Sequence, residues 1–117
     1  MSGENLKNRT KQFSLRVINL VDALPKNTKA FVIGKQLIRS ATSVGAKYRA
    51  VCRSRSNAEF VSKLNIVIEE ADESSFWLEL IVESGLLREE LVRDLLQEVN
   101  EIIAIMVSSR KTAMNKH

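Results

Sequence analysis

One pattern governs what this chain can fold into: apolar and small residues recur at alternating spacings of four and three along most of its length. Leu6, Thr10, Phe13, Val17, Leu20 and Leu24 begin it, and Ala30, Gly34, Leu37, Ala41, Val44, Tyr48 and Val51 repeat it. A third stripe holds Phe60, Leu64, Val67, Ile68, Ala71, Ser75, Leu78 and Val82; a fourth holds Val92, Leu95, Leu96, Val99, Ile102, Ile103 and Met106. A helix turns once in about 3.6 residues, so positions spaced this way fall on one side of it, whereas a strand needs alternation by two. One Pro and four Gly in 117 residues leave little material for turns. The pattern predicts an all-α protein of four amphipathic helices.

Punctuation between the stripes is short. Pro25 pushes the residue before it out of the α region, and Lys26-Asn27-Thr28 reads as a polar turn with Thr28 as the next cap. Arg53-Ser54-Arg55-Ser56 reads as a helix end and turn, and Ser56-Asn57-Ala58-Glu59 fits a capping box. Ser84-Gly85 ends the third helix, Glu89 and Glu90 suit the start of the fourth, and Arg110 and Lys111 suit its end. Short connections make sequential helices antiparallel neighbours, which gives an up-down-up-down four-helix bundle. The expected organisation is a single domain over 1–117, with an ordered core at about 6–111 and a frayed tail at 112–117. Gly34 and Gly45 each cost about 1 kcal/mol against Ala inside a helix, so a neighbouring backbone is expected to approach there.

The single cysteine, Cys52, cannot close an internal disulfide, and the start of the chain lacks the succession that marks a secretory signal. A cytoplasmic location is the default expectation. Apolar runs are far shorter than the roughly 20 residues that cross a bilayer, so no membrane partner is expected.

Charge is unevenly placed. Residues 1–64 hold 13 Lys or Arg against 3 Asp or Glu, a net of +10, while residues 65–117 hold 5 against 11, a net of −6. Such halves either neutralise one another, within the fold or between subunits, or leave a face basic enough for a polyanion. The candidate phosphate-binding set is Lys35, Arg39, Lys47, Arg49, Arg53 and Arg55, with Lys63 close behind. Lys35 and Arg39 are four apart, as are Arg49 and Arg53, so each pair shares a helix face. Contacts of this kind tolerate sequence and weaken steeply with salt. The alternative is pairing with Glu69, Glu70, Asp72 and Glu73 of the next helix or a second subunit. Trp77, with Leu80 and Ile81, lies off the main stripe of the third helix and is read as a subunit interface, where Trp is enriched.

Catalytic chemistry finds little support. A di-iron bundle needs Glu-x-x-His on two helices, and the one histidine is the terminal His117, so no metal and no cofactor are expected. Cys52, Ser40, Thr42 and Ser43 lack a histidine base, and no glycine-rich phosphate loop is present. Ser40, Thr42 and Ser43 read as helix-packing residues whose hydroxyls bond to the preceding turn.

The segments Gln36-Leu37-x-x-Ser40-Ala41-Thr42-Ser43-Val44, Arg53-x-x-Ser56-x-x-Glu59-Phe60 and Glu70-Ala71-Asp72-Glu73-Ser74-x-x-Trp77-Leu78-Glu79-Leu80 resemble the family of four-helix-bundle proteins encoded in 23S ribosomal RNA intervening sequences. The chain is also similar to the accessory variability determinant of diversity-generating retroelements. The resemblance covers about Phe13 to Val107. It implies a left-handed bundle assembled as a homopentamer with a basic surface and, in the retroelement branch, binding to nucleic acid and to a reverse transcriptase, without enzymatic activity. Many members carry Asn-x-x-Glu-Gly after the serine-rich segment, where this chain has Lys47-Tyr48-Arg49-Ala50-Val51, so the role of those polar residues does not transfer. The functional expectation is a non-enzymatic oligomer binding RNA or DNA through phosphates. Its alternative is a structural or adaptor oligomer whose partner is a protein such as a reverse transcriptase.

Overall fold

Each stripe becomes a helix in the computed structural model, which describes residues 3–115. The elements are α1 (Gly3–Val21), α2 (Thr28–Cys52), α3 (Asn57–Glu83) and α4 (Glu89–Met114). Pairs α1 and α2, α2 and α3, and α3 and α4 pack along their lengths, α4 closes on α1, and the backbones of the diagonal pairs stay apart. The result is an antiparallel four-helix bundle measuring 51 × 20 × 19 Å.

Helix ends follow local chemistry. Asn27, not Thr28, caps α2: its backbone is extended, and its side-chain oxygen accepts from the Ala30 amide at 2.8 Å. Thr28 is already helical, so the cap falls one residue earlier than the sequence suggested. Ser56 caps α3 as expected, accepting from the Glu59 amide at 3.0 Å. Gly85 adopts φ 78°, the left-handed conformation that glycine takes without penalty. Its amide donates to the Val82 carbonyl and the Leu86 amide to the Ile81 carbonyl, a Schellman stop with Leu86 and Ile81 both buried. Glu89 and Glu90 occupy the first turn of α4.

The fourth helix outlasts the expected fray at Thr112, running to Met114 because Ala113 is buried and its carbonyl accepts from the Asn57 side-chain amide. Lys116 and His117 of that tail lie outside the described residues.

The core runs the length of the bundle from Leu6 and Phe13 on α1 to Val99, Ile102 and Met106 on α4. Two glycines of α2 face α1 in different ways. A Cβ on Gly45 would lie 2.7 Å from Ser14 Oγ and 3.3 Å from the Thr10 carbonyl oxygen, so here the α1 backbone does approach closely. A Cβ on Gly34 would meet side-chain ends, Leu24 Cδ1 at 3.0 Å and Val21 Cγ1 at 3.4 Å. The Ser14 hydroxyl bridges the seam, lying 3.0 Å from Thr10 O on its own helix and 2.8 Å from Ala41 O on α2. Across α2 and α3, the buried Ser40 and Ser74 hydroxyls sit 2.9 Å apart, each also within reach of a carbonyl of its own helix. Thr42 bonds back to Ile38 O at 2.7 Å, the packing role read for these hydroxyls.

Candidate nucleic-acid interface

The six cations singled out in the sequence separate into three groups. Arg39 and Lys47 face α3. The Arg39 guanidinium bonds Glu70 at 3.3 Å and ion-pairs with Glu73, while Lys47 Nζ reaches the second Glu70 oxygen at 2.9 Å. Both cations are 47% exposed, so each pair contributes only about 0–1 kcal/mol. Their electrostatic effect is nevertheless to cancel two positive charges at mid-bundle. Lys35 stands apart, on the rim of a hollow formed by Val21, Leu24, Pro25, Phe31 and Ile38 near the start of α2.

Arg49, Arg53 and Arg55 form the third group, exposed and without an acidic partner among the described residues. The antiparallel topology places the start of α1, the start of α3 and the end of α4 beside them. That brings in Lys7 and Lys11 from α1 and Arg110 and Lys111 from α4, none of which has an ion pair among the described residues. Arg110 is held in place by a bond to the Asn65 side-chain oxygen at 2.9 Å, which orients it without neutralising it. Seven cations therefore lie in one half of the bundle, six toward its end and Lys11 farther in, level with Gly45.

Among the described side chains, the nearby acids Glu59, Glu98 and Glu101 are already engaged. Lys63 pairs with Glu59 at 2.8 Å, and its hydrogen bond holds the Glu59 carboxyl below the usual carboxylate range. Arg9 grips Glu98 through two bonds and reaches Glu101 at 3.1 Å; those carboxylates, Glu98 foremost, raise the guanidinium pKa.

Between the cations lies a depression in two parts that share Asn57 and Phe60. A space of about 600 Å³ is bordered by Tyr48, Val51, Cys52, Ser54, Arg55 and Ser56, and one of about 340 Å³ by Ser108, Ser109, Thr112 and Ala113. The lining mixes the hydroxyl and amide groups of Ser54, Ser56, Asn57, Ser108 and Thr112, of the kind that contact phosphate and sugar oxygens, with apolar surface from Val51, Phe60 and Ala113. Tyr48 offers no ring surface, being 5% exposed. Burial first, then the adjacent Cys52 thiol, pushes its hydroxyl up to about 12.

The surface read as a subunit interface also changes composition. Ile81 is fully enclosed by the bundle and offers nothing to a second chain. Inward positions on α3 run Leu64, Val67, Ala71, Ser74, Leu78 and Ile81, a spacing averaging nearer 3.5 than 3.6, so the seam drifts from Val82 to Ile81. Leu80 is half-buried, and Trp77 packs against the core with its ring edge-on to Phe76 at a centroid distance of 5.0 Å. The Trp77 Nε1 donor is buried without a hydrogen-bond partner among the described residues. The apolar side chains that α3 presents outward are Ile66, 46% exposed, and Phe76, 51% exposed.

Sequence reasoning missed Lys7, Lys11, Arg110 and Lys111 as members of the site. The signal available was the topology itself: once helices alternate direction, cations near both chain ends and near the middle turn must meet.

Among the described residues no group of three or more His, Cys, Asp or Glu is arranged to hold a metal ion, and no helix is long and apolar enough to cross a membrane. Cys52 is exposed and unpaired with any other cysteine. The chain's one histidine, His117, lies outside the described residues.

Comparison with known proteins agrees with the geometry at the level of fold. The chain is similar to a Bacteroides thetaiotaomicron VPI-5482 protein of unknown function from the S23 ribosomal protein family, whose crystal structure is known at 1.70 Å. The two are 35% identical, with a TM-score of 0.84 over 91% of this chain and 98% of that one. No curated protein matches the chain. The model of the 23S rRNA-intervening sequence protein family matches residues 5–108. Nearly the whole bundle is thus accounted for, and the chain belongs to the 23S rRNA-intervening sequence protein family.

Proposed function

We propose that this protein is a non-enzymatic binder of RNA or DNA that grips phosphates with one end of its bundle. The observation that carries the reading is the gathering of Lys7, Lys11, Arg49, Arg53, Arg55, Arg110 and Lys111 at that end without acidic partners among the described residues. Cations that bind phosphates release the counterions condensed on the polyanion, and an unpaired cation does so without first breaking an ion pair with a carboxylate. Arg39 and Lys47 therefore contribute less than the sequence suggested, and Lys35, at the opposite end of α2, contributes nothing to the same contact. The family description names 23S rRNA, which makes fragments of that RNA the first probes. Fluorescence anisotropy at about 50 and 200 mM salt tests the reading, with affinity falling by orders of magnitude between the two. Absence of binding to every RNA and DNA probe at the lower salt would sink it.

A second reading, which would commit Lys11 and Arg49 to a subunit contact and leave the other five cations to phosphates, is self-association, for which the resemblance suggests a homopentamer. Two complementary surfaces favour it. On one side Leu15 and Ile18, 45% and 41% exposed, line a groove with Gly45 and Ala46 between Lys11 and Arg49. On the other, Ile66 and Phe76 stand on the outer face of α3 among Glu69, Asp72, Glu79 and Glu83. An apolar strip edged by cations fits one edged by carboxylates. Sedimentation equilibrium decides this: a monomer at about 100 µM, well above the micromolar affinities of weak specific interfaces, rules it out.

A further inference from the structure

We infer that the basic end is built for the phosphate backbones of a nucleic-acid duplex, not for single strands; this deepens the phosphate-binding reading above and rests on it. Proteins that hold single strands combine a cationic track with exposed aromatic rings on which bases stack. The well-exposed rings of this protein are placed elsewhere. Phe31, 66% exposed, opens α2 about 27 Å along the helix axis from Arg49. Phe76 lies twenty residues beyond the Ser56 cap, about 30 Å along α3. At the basic end itself Tyr48 is buried, and Phe60, which borders the depression, is half-buried with part of its ring packed against the core.

The layout of the cations points the same way. A single strand follows one line, yet these charges come from α1, α2, α4 and the α2–α3 turn of a bundle that is 20 × 19 Å across. A duplex presents two backbones separated by grooves of about 6 and 12 Å, so an end of this width faces both. The floor between the cations carries Ser54, Ser56, Asn57, Ser108 and Thr112, groups that bond to phosphates and sugars without reading bases. A turn and helix termini form this end, and no helix flank projects from it to enter a groove, so recognition is by backbone and shape. The higher charge density of a duplex then gives it the advantage, because each neutralised phosphate releases more counterion than on a single strand.

The test uses the full chain with a labelled duplex RNA of about 20 base pairs, a duplex DNA of the same sequence, and each constituent strand alone, followed by anisotropy at about 50 mM salt. The expected result is a duplex affinity at least about tenfold above either strand, with duplexes of scrambled sequence bound equally well. The RNA and DNA arms report which duplex is preferred. Equal or tighter binding of single strands overturns this inference while leaving phosphate binding intact. Failure of all probes overturns the phosphate reading and this inference together. The R53A/R55A variant, whose helicity by circular dichroism reports that it folds, should lose duplex affinity; retention of full affinity also counts against the assignment.

Discussion

The two ends of the bundle are made of the same backbone parts and differ in charge. Each combines two helix N-termini with two helix C-termini, so the helix dipoles cancel at both and any polarity must come from side chains. Toward the end bearing the α2–α3 turn, seven cations lack acidic partners among the described residues, and Glu59 is held by Lys63. At the other end Lys26, Lys29, Arg88 and Arg93 stand among Asp22, Glu83, Glu89, Glu90 and Asp94, with Arg93 3.6 Å from Glu89 and Lys29 bonded to the Ser84 carbonyl. Phe31 and Leu91, both well exposed, also belong to this second end. The contrast shows where the charge imbalance of the sequence goes on folding. Mid-bundle cations meet the α3 acids, and the surplus is expressed along the long axis instead of between two faces.

The largest expected effect separates the ends directly. Reversing R53E/R55E/K111E should weaken duplex binding by about a hundredfold or more, whereas K26E/K29E/K35E, with the same change in net charge, should shift it less than about threefold. Equal losses, read by anisotropy, would show that net charge alone matters and that the end carries no site. The next contrast lies along α2. Gly45→Ala, toward the basic end, forces a methyl against Ser14 Oγ and should cost about 1–3 kcal/mol in urea unfolding. Gly34→Ala, toward the mixed end, meets the movable tip of Leu24, and the helix-propensity gain of up to about 1 kcal/mol offsets that contact.

The caps sharpen the comparison by predicting no difference. Ser56→Ala and Asn27→Ala each remove one cap, one per end, and each should cost about 1 kcal/mol. A clearly unequal pair would mean that the ends differ in backbone stability as well as charge. The effect that is silent at neutral pH is a pH dependence. Tyr48 has an ordinary value of 10.0 that folding raises to about 12, so the unfolded chain ionises first. Its contribution to stability is complete below pH 10 and is lost as pH rises from 10 toward 12. Tyr48→Phe should remove that increment of alkaline destabilisation, measured as the difference between the two unfolding profiles.

How much of this was legible in the sequence depends on the range of the forces involved. The four stripes, the Ser56 cap and the Gly85 stop are written in neighbouring residues, and all appear in the structure. Asn27 and Thr28 are both good caps, and only the backbone angles choose between them. Ile81 was assigned outward because a straight helix of period 3.6 favours Val82, and the inclination of packed helices reverses the choice. The candidate site was less legible. Arg49, Arg53 and Arg55 are local to one another, but the fate of Arg39 and Lys47 rests on Glu70 and Glu73, more than twenty residues away. Lys7 and Lys111 join only because the chain reverses direction three times.

The contact of Ser14 with Gly45 acts as a ruler. Sliding α1 by one turn along α2 would bring Ile18 or Thr10 to the place where the serine hydroxyl sits, and neither could replace its bridge to Ala41 without crowding the bare backbone. The N-terminal hairpin therefore has a single seating, specified by residues close in sequence, a condition that favours rapid and accurate folding. That seating also fixes how far Lys7 and Lys11 stand from Arg49 and Arg53, so the spacing at which the molecule meets successive charges on a partner is calibrated inside the core.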